Sequence, residues 1–132
     1  IILNFHEAPL PRFKGSALYF HLKNLNVKYF YTCIIQPNRF LDEGTIMFKS
    51  KSVKICNYSV FGLALKGYYL QRKLIYKLVN NYTLKKKYKN KTSKHKAFSV
   101  PKKRDLNNIN IFFNIKDIIK IIFSYYKNID MI

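Results

Sequence analysis

A lysine run divides this chain into parts that cannot fold alike. Lys85, Lys86, Lys87, Lys89, Lys91, Lys94 and Lys96 crowd one short segment, relieved only by Tyr88 and His95 as rings, and the basic character continues through Lys102, Lys103 and Arg104. Such a stretch has almost nothing to bury, so it reads as an arm or linker over residues 83–104 and the core must come from the flanking chain. Residues 1–82 are then a body, and residues 105–132 a terminal segment in which Ile111, Ile115, Ile118, Ile119 and Ile122 recur at helical spacing.

Within the body, Ser16 to Leu22 and Val27 to Ile35 are rich in aromatic and β-branched residues, with Asn24 and Asn26 between them as turn formers. They read as an antiparallel pair of strands. Pro37 ends the second, and Asp42-Glu43-Gly44 marks a turn before a short strand over Thr45 to Phe48. Leu70, Leu74, Ile75, Leu78, Val79 and Tyr82 share one face of a helix that starts near Gly67. The expected class is α+β: a small antiparallel sheet packed with an amphipathic helix, followed by a basic extended arm and a C-terminal helix. Hydrophobic residues make up 48% of the chain, enough for one core at a length of 132 residues.

The 25 Lys and Arg exceed the 6 Asp and Glu by enough to give a formal charge of +19, which calls for a polyanionic partner. Lys, Asn, Ile, Tyr and Phe are favoured over Arg and Trp, as in AT-biased organellar genomes, and part of the lysine excess follows from that bias. Cys33 and Cys56 have neither CxxC spacing nor a nearby His, which points to reduced, buried thiols and to no metal site. Residues 1–5 lack the basic n-region of a cleavable signal, and the absence of an initiating Met suggests processing, a non-standard start codon or one piece of a split product.

No enzyme constellation stands out along the chain. His6, His21 and His95 are scattered, no phosphate-cradling glycine loop occurs, and Asp42 with Glu43 reads as a turn. No catalytic residue and no cofactor is expected on this reading. Residues 109–123 are strongly apolar, yet Asn114, Lys116, Asp117 and Lys120 interrupt them, leaving no run of roughly 20 apolar residues to span a bilayer.

One segment carries a family resemblance. Asn26, Val27, Tyr29, Ile35, Gln36, Pro37 and Leu41 resemble the strand and turn of the large ribosomal subunit protein sixteen family, with Phe30 in place of its Trp. Upstream, residues 2–10 are similar to another strand of that family, and Arg12 to Gly15 to a shortened basic loop. The resemblance covers about residues 1–79 and the C-terminal half of the family. It implies an α+β domain on large-subunit rRNA near the tRNA entry region, with Arg12 and Lys14 inheriting the loop's RNA contact.

The sequence reading is therefore a non-catalytic, rRNA-binding constituent of an organellar ribosome, mitochondrial or plastid, touching neighbouring ribosomal proteins, with tRNA nearby and no DNA or membrane span. Its phosphate contacts would come from Arg12, Lys14, Arg39, Lys85, Lys86, Lys87, Lys89, Lys91, Lys94, His95, Lys96, Lys102, Lys103 and Arg104. Two rivals come from other classes: an accessory subunit of an organellar membrane complex and a DNA-packaging protein.

Overall fold

The segment read as the first strand forms a helix instead. Leu18, Tyr19 and Leu22 are buried at helical spacing, and Ala17 enters the left-handed region (φ 51°) just before them. Burying Leu18, Tyr19, Phe20 and Leu22 outweighs the β preference of the same residues. The computed structural model describes residues 2–55, 58–80, 88–89 and 96–106, with Ile115, Ile119, Ile122 and Phe123 beyond them.

The elements run β1 (Asn4–His6), α1 (Leu18–Asn24), β2 (Tyr29–Phe30), β3 (Cys33–Pro37), β4 (Gly44–Lys49), β5 (Val53–Lys54), α2 (Val60–Asn80) and β6 (Tyr88–Lys89), followed by a short 3-10 turn over Lys103–Leu106. Four strands form one antiparallel sheet in the order β1-β3-β4-β6, and β2 pairs separately with β5. The class is α+β. The expected single strand over Val27 to Ile35 is split at Tyr31 and Thr32, and its two halves serve different sheets. Pro37 closes β3 opposite Gly44, past the end of β1, so its missing N–H breaks no ladder on that side.

The turn expected at Asp42-Glu43-Gly44 is present. Asp42 (φ 50°) and Gly44 (φ 126°) both sit at positive φ, and a Cβ on Gly44 would lie 2.1 Å from the Gln36 carbonyl oxygen, so only glycine fits. Helix α2 begins well before Gly67. Its inner face is Gly62, Leu63, Gly67, Leu70 and Leu74, while Ile75 and Val79, read as part of the buried stripe, are exposed. Leu63 and Leu70 of this face join Phe13, Leu18, Tyr19, Leu22, Phe30 and Ile55 in the larger core. Leu10, Cys33, Ile35 and Ile46 form a second core on the sheet.

Of the expected arm, Lys85, Lys86, Lys87, Lys91, Lys94 and His95 lie outside the described residues, and Lys89 belongs to β6. The terminal helix lies outside them too, apart from Ile115, Ile119, Ile122 and Phe123, which face solvent. Among the described residues no helix is long and apolar enough to cross a membrane.

Gly67 explains why a helix tolerates glycine there. A Cβ at this position would fall 1.7 Å from the Tyr19 hydroxyl oxygen, so the missing side chain is what lets α1 and α2 close. Gly67→Ala should destabilise the protein by about 1–3 kcal/mol in urea unfolding. Adding Tyr19→Phe, which removes the nearest clashing atom, should recover part of that loss.

Candidate active site

Strand β1 alternates its side chains, so Asn4 and His6 share the sheet face that also carries Cys33 and Ile35, their antiparallel partners. His6 is 4% exposed whereas Asn4 is open to solvent. A buried imidazole next to an open amide on one strand face is unusual in a position that a folding argument would fill with apolar side chains.

The positive-φ turn between β3 and β4 swings Asp42 onto this face. Its Oδ1 lies 3.5 Å from His6 Nδ1, and its Oδ2 accepts the Gly15 N–H at 2.7 Å. The other imidazole nitrogen, Nε2, donates to the Phe13 carbonyl oxygen at 2.5 Å. A carbonyl only accepts, so the proton of the neutral ring sits on Nε2 and the lone pair on Nδ1 faces the Asp42 carboxylate. Next to Asp42, Glu43 pairs with the Lys14 ammonium at 2.9 Å, and both of those side chains are largely buried.

Burial lowers the His6 pKa below its ordinary value of 6.5, against the opposing pull of the Phe13 carbonyl and of Asp42. The ring is thus held neutral in a place where a proton, once accepted, meets a carboxylate. The Cys33 thiol opposite His6 is pushed up to about 12 by burial, which keeps it protonated and unreactive. Burial likewise raises the Glu7 carboxyl and the Tyr31 hydroxyl. No group of three His, Cys, Asp or Glu able to hold a metal exists among the described residues.

The site can therefore accept and release a proton at His6 Nδ1, with Asp42 steadying the charged ring and Asn4 offering an amide to an incoming polar group. Sequence reading set His6 aside as scattered and Asp42 as a plain turn residue. The detectable signal was Asn4-Phe5-His6, two polar residues on the same face of a strand; their acidic partner arrives only through the fold.

Lys14, expected at RNA, is turned inward onto Glu43. Arg12 and Arg39 are exposed, each with its guanidinium over the adjacent ring, Phe13 at 5.2 Å and Phe40 at 4.9 Å. Lys96, Lys102, Lys103 and Arg104 are exposed along the segment around Phe98, and Arg104 pairs with Asp105 at 3.7 Å.

No protein-family model and no curated protein matches the chain. Solved structures do share its fold. A sugar 3N-formyl transferase, WlaRD, determined with dTDP and 5-N-formyl-THF, superposes with a TM-score of 0.67 at 18% identity over 80% of this chain and 38% of its own. The N-formyltransferase from Helicobacter canadensis, complexed with folinic acid and dTDP-3-aminofucose, gives 0.58 at 24% identity over 95% of this chain and 49% of its own. Methionyl-tRNA formyltransferase from Clostridium thermocellum gives 0.58 at 19%, over 91% and 51%. The chain thus has the fold of part of the formyltransferases and spans about half or less of their length.

These neighbours overturn the ribosomal reading. The segment that resembled the large-subunit protein sixteen family spans β2, β3 and the start of the turn after β3, which serve two different sheets here, and a β-branched run stopped by proline before a turn occurs in many folds. The non-enzymatic assignment falls with it, because the proteins that share the fold are formyltransferases. Two of the structures just described were determined with a folate-type compound and dTDP or dTDP-3-aminofucose, not with rRNA or ribosomal proteins. The membrane-complex alternative has no support among these neighbours either.

The lowered His6 pKa fixes the sign of a pH effect. The unfolded chain binds a proton at His6 near 6.5, the folded chain only at lower pH, so this contribution to stability is complete above 6.5 and is lost as pH falls from there toward the folded value. Thermal unfolding between pH about 5 and 7 should show the loss in the native chain, and a shallower one in His6→Gln. Identical slopes in the two proteins would contradict the buried neutral imidazole.

Proposed function

We propose that this protein transfers a formyl group from a reduced-folate donor to an amine, with Asn4, His6 and Asp42 as the reacting set. The observation that carries the reading is the His6 and Asp42 pair beside the open Asn4, on a fold shared with formyltransferases. Two of those neighbours were determined with the compounds such a reaction would use: 5-N-formyl-THF, also called folinic acid, in both, and dTDP-3-aminofucose, which carries an amine, in one.

In this mechanism the acceptor nitrogen attacks the formyl carbon and the carbonyl π-bond becomes an oxyanion. The Asn4 amide donates to that oxygen as charge develops. The nitrogen's excess proton passes to the His6 and Asp42 pair: the Asp42 carboxylate takes it and hands it to the Nδ1 lone pair it faces, so the imidazolium then donates to Asp42 while the ring keeps its Nε2–H on the Phe13 carbonyl. The tetrahedral intermediate collapses by breaking the bond from the formyl carbon to the donor nitrogen, which takes the proton back from His6. The products are an N-formyl acceptor and the deformylated folate, and no redox change occurs. His6 suits both proton steps because its depressed pKa leaves the base form free at neutral pH.

The finer architecture belongs to the same proposal: residues 83–104 as an extended basic arm and residues 105–132 as an apolar-striped helix flank the body 1–82 that carries the site.

The test is formyl transfer by the protein purified from its own source, with 5-N-formyl-THF (folinic acid) among a panel of formyl-tetrahydrofolates as donors and dTDP-3-aminofucose among a panel of amines. N-formyl product should form, and His6→Ala or Asp42→Asn should lower turnover by roughly 10²–10⁴-fold. Asn4→Ala should cost about 10²–10³-fold with the fold intact. A native protein that binds no donor and formylates no amine would overturn the assignment.

A further inference from the structure

The loop between β1 and α1 supplies the site with three groups: the Phe13 carbonyl to His6, the Lys14 ammonium to Glu43 and the Gly15 N–H to Asp42. A loop of this kind has no ladder of its own, and its precision must come from something that holds it. A distant segment does so. The Phe98 N–H donates to the Lys14 carbonyl at 2.7 Å and the Ser16 N–H donates to the Phe98 carbonyl at 2.8 Å, a parallel bridge centred on Gly15.

The bridge needs its glycine. Gly15 sits at φ 98°, and a Cβ there would lie 2.1 Å from the Phe98 oxygen. Side chains complete the clamp: the Phe98 ring stacks on Phe13 at 5.4 Å and on His21 at 4.5 Å, and His21 Nε2 donates to the Ser99 carbonyl at 2.8 Å.

One peptide plane links this clamp to the reacting pair. The carbonyl of Lys14 and the N–H of Gly15 belong to a single rigid unit whose two polar groups point opposite ways. Phe98 holds its carbonyl end, and Asp42 accepts from its N–H end. Hydrogen bonds arranged in such a chain polarise one another, so the grip of Phe98 strengthens the donor that Asp42 receives. The same Phe98 ring covers Phe13, whose carbonyl fixes the proton-bearing side of His6. Both members of the pair are therefore indexed to one residue, through the groups that Phe98 holds.

We propose that Phe98 is a positioning residue for formyl transfer: through the Lys14-Gly15 peptide unit and through Phe13 it sets the separation and orientation of His6 and Asp42. This rests on the reading of that pair as the reaction centre.

The experiment compares the native protein with Phe98→Ala and Phe98→Tyr by transfer kinetics, by NMR titration of the His6 ring and by hydrogen exchange at the Gly15 amide. Phe98→Ala should lower kcat by roughly tenfold to a hundredfold, the scale of a misplacement of about 1 Å, while KM for the donor stays within about twofold. Its Gly15 amide should exchange at least about tenfold faster while the amides of Ile34 and Ile35 in β3 keep their protection. The His6 midpoint should move further down as the Phe13 carbonyl slackens, and Phe98→Tyr, which keeps the ring stack, should restore all three readouts. Should Phe98→Ala not fold, Phe98→Leu replaces it, filling the space without a stacking face, and the same losses are expected. Native kcat, His6 midpoint and Gly15 exchange in a folded Ala or Leu variant would overturn the proposal. A native protein inactive with every donor and amine would instead overturn the formyl-transfer reading on which it stands.

Discussion

The Asp42 carboxylate is shared, and the arrangement of the site depends on that sharing. One oxygen faces the imidazole of His6, and the other accepts a backbone N–H from a loop 27 residues away in sequence. Carboxylate to backbone N–H is a strong, short hydrogen bond, and it ties the hairpin after β3 to the loop after β1. The adjacent pair of Lys14 and Glu43 makes the same connection a second time at 2.9 Å. These two links join the loops at this end of the sheet, and the geometry around His6 depends on them.

Geometry of this kind explains how much could be read in advance. The hairpin turn was legible because Asp42 and Gly44 are residue types that tolerate positive φ, and the second half of α2 because Leu70 and Leu74 repeat at helical spacing. Helix α1 was not, since aromatic content argued for a strand and only the contact with α2 across Gly67 decides otherwise. The early turns of α2 were hidden by Gly62 and Gly67, which weaken helix propensity yet are what the close approach needs. The site itself was half legible: Asn4 and His6 sit on one strand face, but their acidic partner and the Phe98 clamp arrive from segments that no local pattern connects.

Charge was the feature that misdirected the functional reading. A formal +19 invites a phosphate-rich partner, and the arm lysines were assigned to one. Yet the most informative cation in the described structure is Lys14, which is buried and spends its charge inside the molecule on Glu43. Net charge constrains the environment a protein can occupy; a function has to be argued from a site. Here that site is a neutral buried imidazole, a carboxylate held by a backbone N–H and an open amide, on a fold shared with formyltransferases.

The most direct measurement is an NMR titration with folinic acid, following the His6 ring, the Asn4 side-chain amide and the Gly15 backbone amide. The account predicts saturable shifts concentrated on these three groups, and their loss in Asp42→Asn. Shifts spread over the exposed lysines with no change at His6, Asn4 or Gly15 would show the folate meeting only surface charge and would contradict the account.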